Sequence, residues 1–201
     1  MTNDAEKLAT LFEKFPGIGP RQARRFVYFL LKSGEEYRGN LNLAISNLTD
    51  NIRQCAKCYR YYASGSDSEC GICGNSARDS KQLLIVEKDA DLDSVEKSGG
   101  YSGYYFVLGG GVKLTDSSGK VPNQERLLSH IKNTPELKEI ILAMPTTTEG
   151  EHTAQTIINT IKTIIEDQEI SVTMLGRGLS TGAELEYADS ATLKSAIESR
   201  G

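Results

Sequence analysis

The sequence predicts an α/β protein made of four consecutive parts. Apolar residues recur at helical spacing up to residue 54, and four cysteines form two matched pairs in residues 55–80. From residue 81, short apolar runs alternate with amphipathic helices, which indicates a mainly parallel sheet covered on both faces. We therefore expect a helical region at 1–54, a cysteine finger at 55–80, an α/β domain at 81–175 and a C-terminal segment at 176–201.

Three helices are expected in the N-terminal region. The first ends at Pro16-Gly17, because this pair does not continue a helix. The second begins near Pro20, which suits a first helical position, and stops near Gly34. The third extends from about Leu41 to Arg53. Their apolar faces consist of Leu8, Leu11, Phe12 and Phe15, then Ala23, Phe26, Val27, Leu30 and Leu31, then Leu41, Ala44, Ile45, Leu48 and Ile52.

The α/β domain is expected to contain four strands with helices between and after them. Each expected strand is a run of four to six residues that is mostly apolar, and each expected helix is amphipathic. The expected strands are Leu83–Val86, Tyr104–Leu108, Ile140–Met144 and Ile170–Leu175. The expected helices are Asp91–Ser98, Gln124–Asn133 and Glu151–Asp167, and a further helix, Ala191–Ser199, is expected in the C-terminal segment.

The cysteines predict one structural metal site. Cys55 and Cys58 are separated by two residues, as are Cys70 and Cys73, and the chain has no other cysteine. Two such knuckles complete a tetrahedral sulfur shell that suits Zn²⁺ and leaves no open position for a catalytic water. The loop between the pairs is too polar to form a core, so metal binding would supply much of its folding energy. Disulfides or redox-active pairs are the alternative.

Charge is distributed unevenly along the chain. The formal net charge is −4, yet residues 1–54 contain eight basic and six acidic side chains. Residues 81–201 contain twelve basic and eighteen acidic side chains. Contact with phosphate depends on the local patch rather than on the total charge, so the N-terminal region is the candidate for binding nucleic acid. No transmembrane stretch or targeting segment is expected, and reduced cysteines predict the cytoplasm.

A Pro-Gly-Ile-Gly turn followed by arginines is the candidate DNA contact. Gly17 and Gly19 allow the backbone to approach a ligand closely, and the helix that follows offers free amides and a positive dipole end. Arg21, Arg24 and Arg25 lie in its first turns. The pattern resembles a helix-hairpin-helix motif, which holds DNA phosphates without reading bases. An ordinary turn with solvated arginines is the alternative.

Several motifs in one order resemble the RecR family of bacterial recombination mediators. A helix-hairpin-helix, a four-cysteine zinc finger and an α/β domain follow one another in that family, and the match covers nearly the whole chain. The matching segments of the α/β and C-terminal parts are Leu84–Glu87, Gly103–Gly110, Glu149–Ala154, Gly178–Asp189 and Thr192–Ala196.

The resemblance implies that the α/β domain is a Toprim domain without catalytic activity. Catalytic Toprim domains hold Mg²⁺ with a glutamate after the first strand and a later Asp-x-Asp pair. Glu87 matches the glutamate, but Pro145 and Thr147 stand at the aspartate positions, and neither is an anionic ligand. Glu149 remains. We therefore expect no enzyme activity; a Toprim nuclease or primase-like phosphoryl transferase is the competing hypothesis.

The resemblance also implies partners and an assembly. Four subunits would form a ring on single-stranded, double-stranded or gapped DNA at the nucleoid, without sequence specificity. Together with RecO, RecF or both, the ring would help load RecA at gaps. Glu87, Glu149 and Glu151 would contact RecO, although the last two could equally stabilise a helix start. The C-terminal segment would serve assembly, with Arg177 as a polar anchor or part of a simple turn. A zinc-dependent DNA-binding module that does not assemble is a further alternative.

The sequence indicates the roles of three tyrosines and two histidines less specifically. Tyr59, Tyr61 and Tyr62 lie between the cysteine pairs, where they would pack around the metal knuckle or stack on unpaired bases. His130 and His152 have no second ligand nearby and are expected to be surface or hydrogen-bonded residues. The glycine-rich stretches match neither the phosphate-loop nor the dinucleotide spacing.

Overall fold

The computed structural model describes residues 3–65, 68–116, 118–165, 169–176, 178–179, 182 and 184–198. The chain divides into two compact units, Met1–Arg53 and Gln54–Gly201. Among the helices described, none is long and apolar enough to cross a lipid bilayer.

The first unit consists of three helices: α1 (Asn3–Phe12), α2 (Pro20–Lys32) and α3 (Glu35–Asn51). Helices α1 and α2 pack on each other through Ala9, Ala23 and Val27, the buried residues of this unit's small core. Small side chains at this contact allow the two helix backbones to approach closely.

Two helix boundaries in this unit differ from the sequence prediction. Helix α1 ends at Phe12, and Phe15 lies in the following turn, where its amide donates to the carbonyl of Phe12 at 3.0 Å. Helix α3 begins at Glu35, six residues before Leu41. Its cap, Gly34, has an extended conformation, and the acidic residues at its start favour the helix dipole.

The apolar face predicted for α3 exists but is not buried. Every residue of α3 is described, and none is buried. Ile45 and Leu48 expose 58% and 59% of their surface, and Leu43 exposes 57%. Within the described residues of this unit, the face is therefore uncovered.

A short hairpin, which the sequence prediction missed, flanks the first cysteine knuckle. Strand β1 (Ile52–Gln54) pairs with β2 (Tyr61–Ala63) in a two-stranded sheet. The amide of Cys55 donates to the carbonyl of Arg60 at 2.9 Å, which continues the pairing to the knuckle.

The second unit is built on a four-stranded sheet of order β4-β3-β5-β6, with every pairing parallel. This confirms the predicted α/β class with a parallel sheet. The strands are β3 (Asp79–Val86), β4 (Gly103–Val107), β5 (Glu139–Ala143) and β6 (Ser171–Met174). The helices are α4 (Asp89–Ser98), α5 (Gln124–Lys132), α6 (Thr148–Ile165) and α7 (Ser190–Glu198), with a short 3-10 turn at Leu185–Tyr187.

Most of these boundaries lie within two residues of the prediction. Strand β3 is four residues longer at its start, and α6 begins three residues earlier, at Thr148. The predicted helix ends at Asp167 and Ser199 and the candidate anchor Arg177 lie outside the described residues.

The sheet separates two cores because side chains alternate across it. Leu83, Ile85 and Phe106 face one core, which α5 and α6 cover. Leu84 and Val86 face the other core, which contains Leu92 of α4 and all four cysteines. The cysteine finger therefore covers part of one sheet face.

Candidate metal centre and nucleic-acid interface

The four cysteine sulfurs converge on one point. Cys55, Cys58, Cys70 and Cys73 are all buried, and their Sγ atoms lie within 4.8 Å of one another. The Sγ atoms of Cys58 and Cys70 are 3.6 Å apart, far longer than a disulfide bond of about 2.05 Å. A tetrahedral ion with Zn–S bonds of about 2.3 Å requires sulfurs roughly 3.8 Å apart. The cluster therefore has the donors and the spacing for one metal ion.

The electrostatics of the cluster also favour a cation. The hydrogen bond between Cys55 and Cys58 lowers the pKa of the Cys55 thiol and raises that of Cys58. The hydrogen bond with Cys55 is the largest cause that raises the pKa of the Cys73 thiol. Contacts with Cys58 and Cys70, and burial, raise it further. Deprotonation of one thiol therefore disfavours deprotonation of its neighbours. A divalent cation would offset this repulsion and allow all four to bind as thiolates.

Backbone hydrogen bonds connect the knuckles to each other and to the sheet. The amide of Cys70 donates to Sγ of Cys55 at 3.4 Å, which joins the second knuckle to the first. The amide of Val107 in β4 donates to the carbonyl of Cys58 at 2.8 Å. Unfolding of the finger would therefore expose part of the sheet.

The glycine turn leaves the start of α2 open. Gly17 has φ of 75°, a left-handed conformation that favours glycine. A Cβ on either Gly17 or Gly19 would meet nothing within 4 Å, so the backbone is accessible from that side. Gly19 caps α2 without a side-chain hydrogen bond. The amides of the first helical turn have no partner within the helix and can donate to an anion.

The three candidate arginines are exposed on α2. Arg21, Arg24 and Arg25 are all solvent-accessible, and Arg25 contacts Gln22 at 3.3 Å. In the part of the chain that the structure describes, none of the three forms an ion pair with a carboxylate. The structure thus brings the five predicted DNA-binding residues onto one turn and the helix that follows it.

The carboxyl edge of the sheet carries the candidate Toprim glutamate. Glu87 follows the last residue of β3, and its carboxylate forms an ion pair with Lys88 at 2.9 Å. A Cβ on Gly111 would lie 3.3 Å from Oε2 of Glu87 and 3.2 Å from Oγ1 of Thr153. Any side chain at residue 111 would crowd these two groups, so the Glu87 carboxylate lies in a close-packed setting.

The residues at the expected aspartate positions stabilise the start of α6 instead. The Thr147 hydroxyl accepts the amide of Gly150 at 3.1 Å, as an N-cap residue does. A Cβ on Gly150 would overlap the carbonyl oxygen of Pro145, so only glycine fits there. Pro145 and Thr147, the residues that depart from the catalytic pattern, therefore take part in local packing and helix capping. Among the described residues, the cysteines are the one group of three or more potential metal ligands.

Glu149 and Glu151 lie in the first turn of α6, close to the predicted place. Both side chains are exposed. Val86 of β3 pairs with Ala143 of β5, so the segments that follow these strands leave the same edge of the sheet. Glu87 and the α6 glutamates therefore belong to one edge, and negative charge at a helix start is favourable in itself.

The structure distinguishes the three tyrosines. The Tyr59 ring packs on Phe106 at 5.4 Å, and the Arg126 guanidinium lies 4.4 Å above it. Tyr62 packs against the cysteine core, whereas Tyr61 exposes 59% of its surface. Tyr59 has φ of 65°, which costs a non-glycine residue about 1–2 kcal/mol. The ring contacts offset that strain, and no local pattern in the sequence indicates them.

His130 is half-buried beside the finger rather than on the open surface. Burial, and then the positive charge of Lys57, lower its pKa below the ordinary range. Its ring lies 5.9 Å from that of Phe106. Its position follows from the packing of α5 on the sheet.

Comparison with known proteins agrees with the family that the motifs indicate. A family model described as "Toprim domain" matches residues 81–176, and one described as "RecR, C-terminal" matches residues 178–200. The protein named Recombination protein RecR from Prochlorococcus marinus (strain AS9601) is 36% identical over 199 residues, covering 99% of this chain and 96% of its own. The chain belongs to the RecR family of recombination proteins.

Two further RecR proteins are similar over almost their whole length. RecR of Dehalococcoides mccartyi is 39% identical over 197 residues, covering 96% of this chain and 92% of its own. RecR of Parvibaculum lavamentivorans is 36% identical over 198 residues, covering 98% and 96%. The family resemblance drawn from the motifs is thereby confirmed.

Replacing Cys55 and Cys58 with serine tests the metal centre. The double variant should lose one bound Zn²⁺ per chain and unfold at lower temperature, because the metal supplies folding energy to the finger. Elemental analysis of the purified protein and a thermal unfolding curve measure both effects. Ser76→Ala, an exposed substitution in the same finger, serves as the control. A metal-free double variant as stable as the wild type would contradict the assignment.

Proposed function

We propose that this chain is a non-catalytic DNA-binding recombination mediator that assembles as a ring, a tetramer, around DNA. With RecO, RecF or both, it would promote RecA loading at single-strand gaps. The observation that carries the proposal is the open, basic start of α2 in a chain of the RecR family.

Phosphate contact is supported by complementary features of one turn. Gly17 and Gly19 leave the backbone accessible, and the α2 dipole and three arginines provide positive potential. Contacts of this kind hold the phosphate backbone and do not read base edges, so binding would be strong at low salt and would depend little on sequence.

Self-association is supported by apolar surface in the N-terminal unit. Leu43, Ile45 and Leu48 of α3 are exposed, as are Phe29 and Leu31 of α2. Monomeric soluble proteins rarely leave so many large apolar side chains uncovered in one small unit. Contact with other subunits would bury them.

A binding role for the Toprim domain is supported by its altered edge. Thr147 caps α6 and Pro145 packs over Gly150, where a Mg²⁺-dependent enzyme would need two carboxylates. Glu149 and Glu151 remain exposed on α6 and would provide an acidic surface for RecO. No phosphoryl transfer is part of the proposed mechanism.

Each expected domain has its own role in this scheme. Residues 1–54 bind DNA and another subunit, and residues 55–80 hold Zn²⁺ and stabilise the sheet. Residues 81–175 bind the partner protein, and residues 176–201 contribute to assembly.

Removal of the three arginines tests the DNA surface. The variant with Arg21, Arg24 and Arg25 replaced by alanine should bind DNA more weakly. The slope of log affinity against log salt should fall by roughly 1 for each phosphate that the variant no longer neutralises. Fluorescence anisotropy with labelled DNA over a series of salt concentrations measures both quantities.

The matched control removes three exposed cations elsewhere in the same unit. Replacement of Lys7, Lys32 and Arg53 by alanine changes the net charge equally, and these residues lie in α1, at the end of α2 and in β1, outside residues 17–25. If both triple variants show the same decrease in slope, the turn is not the DNA surface and only the total charge matters.

Reversal of one charge on α6 tests the partner surface. Glu149→Lys should weaken RecO binding by about tenfold or more, because it places a repulsive cation in an acidic surface. Surface plasmon resonance with purified RecO gives the affinity, and metal content and thermal unfolding show whether the fold is kept. Glu169→Lys, an exposed reversal that precedes β6, is the control. Unchanged RecO affinity in Glu149→Lys would leave this glutamate with a helix-stabilising role only.

A further inference from the structure

A cavity of about 560 Å³ lies between the cysteine finger and the Toprim sheet. Lys57 and Tyr59 of the finger form one wall, Leu83 and Tyr104 of the sheet form the floor, and Arg126 and Asn133 belong to the α5 side. Its volume is within the range of about 300–1,000 Å³ that is typical of small-molecule sites. All of these residues belong to the second unit, and none of them is part of the glycine turn before α2.

The wall nearest α5 presents a stacking surface. The Arg126 guanidinium carbon lies over the Tyr59 ring, 4.4 Å from its centroid, and the Tyr59 ring packs on that of Phe106 at a tilt of 49°. A guanidinium held in this way offers its outer face to another planar group, and Arg planes stack on bases in this manner. Among the described residues, no carboxylate pairs with Arg126, so its charge is not neutralised within the chain.

The backbone at Tyr59 fits this role. Its positive φ favours glycine, yet a large aromatic residue stands there with its ring beneath the Arg126 guanidinium. A glycine would relieve the strain but would remove the layer on which Arg126 rests. The strained residue thus maintains the stacking surface.

The charges of the lining select the class of ligand. Lys57 and Arg126 are offset by Glu125 and Glu136, and Lys57 already pairs with Glu69 at 2.9 Å. A triphosphate or a strongly acidic peptide would meet no net positive charge here. A flat, uncharged base fits this lining better, since amides and hydroxyls such as those of Asn133 and Ser129 can contact its edge.

We propose that this cavity binds one unpaired nucleotide of single-stranded DNA, with its base stacked on Arg126. The proposal rests on the proposed function for its class of ligand and adds a second contact that discriminates unpaired from paired DNA. Stacking of this kind tolerates any base, so the site would not read sequence.

Thymidine 5′-monophosphate is the direct probe, because it is too short to engage a ring or a run of phosphates. Saturation-transfer difference NMR with the full chain measures its dissociation constant. We expect saturable binding that Arg126→Ala weakens by about tenfold or more, in line with the alanine-substitution effects of base stacking. Absence of saturable binding at millimolar nucleotide would overturn the proposal.

Two further variants separate stacking from charge. Arg126→Lys keeps the cation but removes the planar group, so it should weaken binding nearly as much as Arg126→Ala. Lys132→Ala removes one cation from the same helix outside the cavity and should bind as the wild type does. Wild-type affinity in Arg126→Lys, or an equal weakening in Lys132→Ala, would show that attraction of phosphate alone explains the binding and would overturn the stacking site.

The site is located by photocrosslinking an eight-nucleotide oligodeoxynucleotide that carries 5-iodouracil, followed by mass spectrometry of the peptides. Crosslinks should map to the peptides containing Tyr59 or Tyr104; crosslinks confined to residues 17–25 would overturn the proposal. The variant lacking Arg21, Arg24 and Arg25 should bind the mononucleotide normally. If that variant also binds long DNA normally, the proposed DNA surface fails while the cavity assignment stands.

Discussion

The packing of four buried sulfurs against one face of a parallel sheet is the constraint on which the second unit depends. A parallel sheet needs cover on both faces, and here part of that cover is a short polar finger rather than a helix. Such a finger cannot fold on apolar burial alone, so a metal ion at Cys55, Cys58, Cys70 and Cys73 would convert a weak segment into a rigid layer. The bond from Val107 to Cys58 joins that layer to β4.

The same packing determines what the carboxyl edge of the sheet and the finger can do. With both faces covered, Glu87 and the start of α6 come to one edge, where a catalytic relative would assemble Mg²⁺ ligands. Here Thr147 and Gly150 use that edge to begin a helix. Glu149 and Glu151 are exposed at this helix start, and on another side the finger and α5 border the cavity next to Tyr59.

Features with local sequence signals were predictable, whereas features made by distant residues were not. The paired cysteine spacing, Pro20 at the start of α2 and the apolar strand runs each have a physical reason within a few residues. The sequence prediction placed the start of α3 too late because residues Glu35 to Asn40 show no apolar periodicity. It missed β1 and β2 because these strands are too short to show alternation. The role of Thr147 as a cap could be recognised only once the start of α6 was known. The contacts of Tyr59 with Phe106 and with Arg126 join three separate segments, which no spacing in the sequence connects.

Retention on closed DNA is the most direct test of the proposed ring. The protein is bound to a gapped circular DNA and to the same DNA after linearisation, then challenged with high salt, and the bound fraction and assembly size are measured by analytical ultracentrifugation. A ring predicts a tetramer-sized species that stays on the circle and leaves the linear form, since topological linkage persists when phosphate contacts are screened. Equal release from both forms, or a monomer on the DNA, would contradict the account.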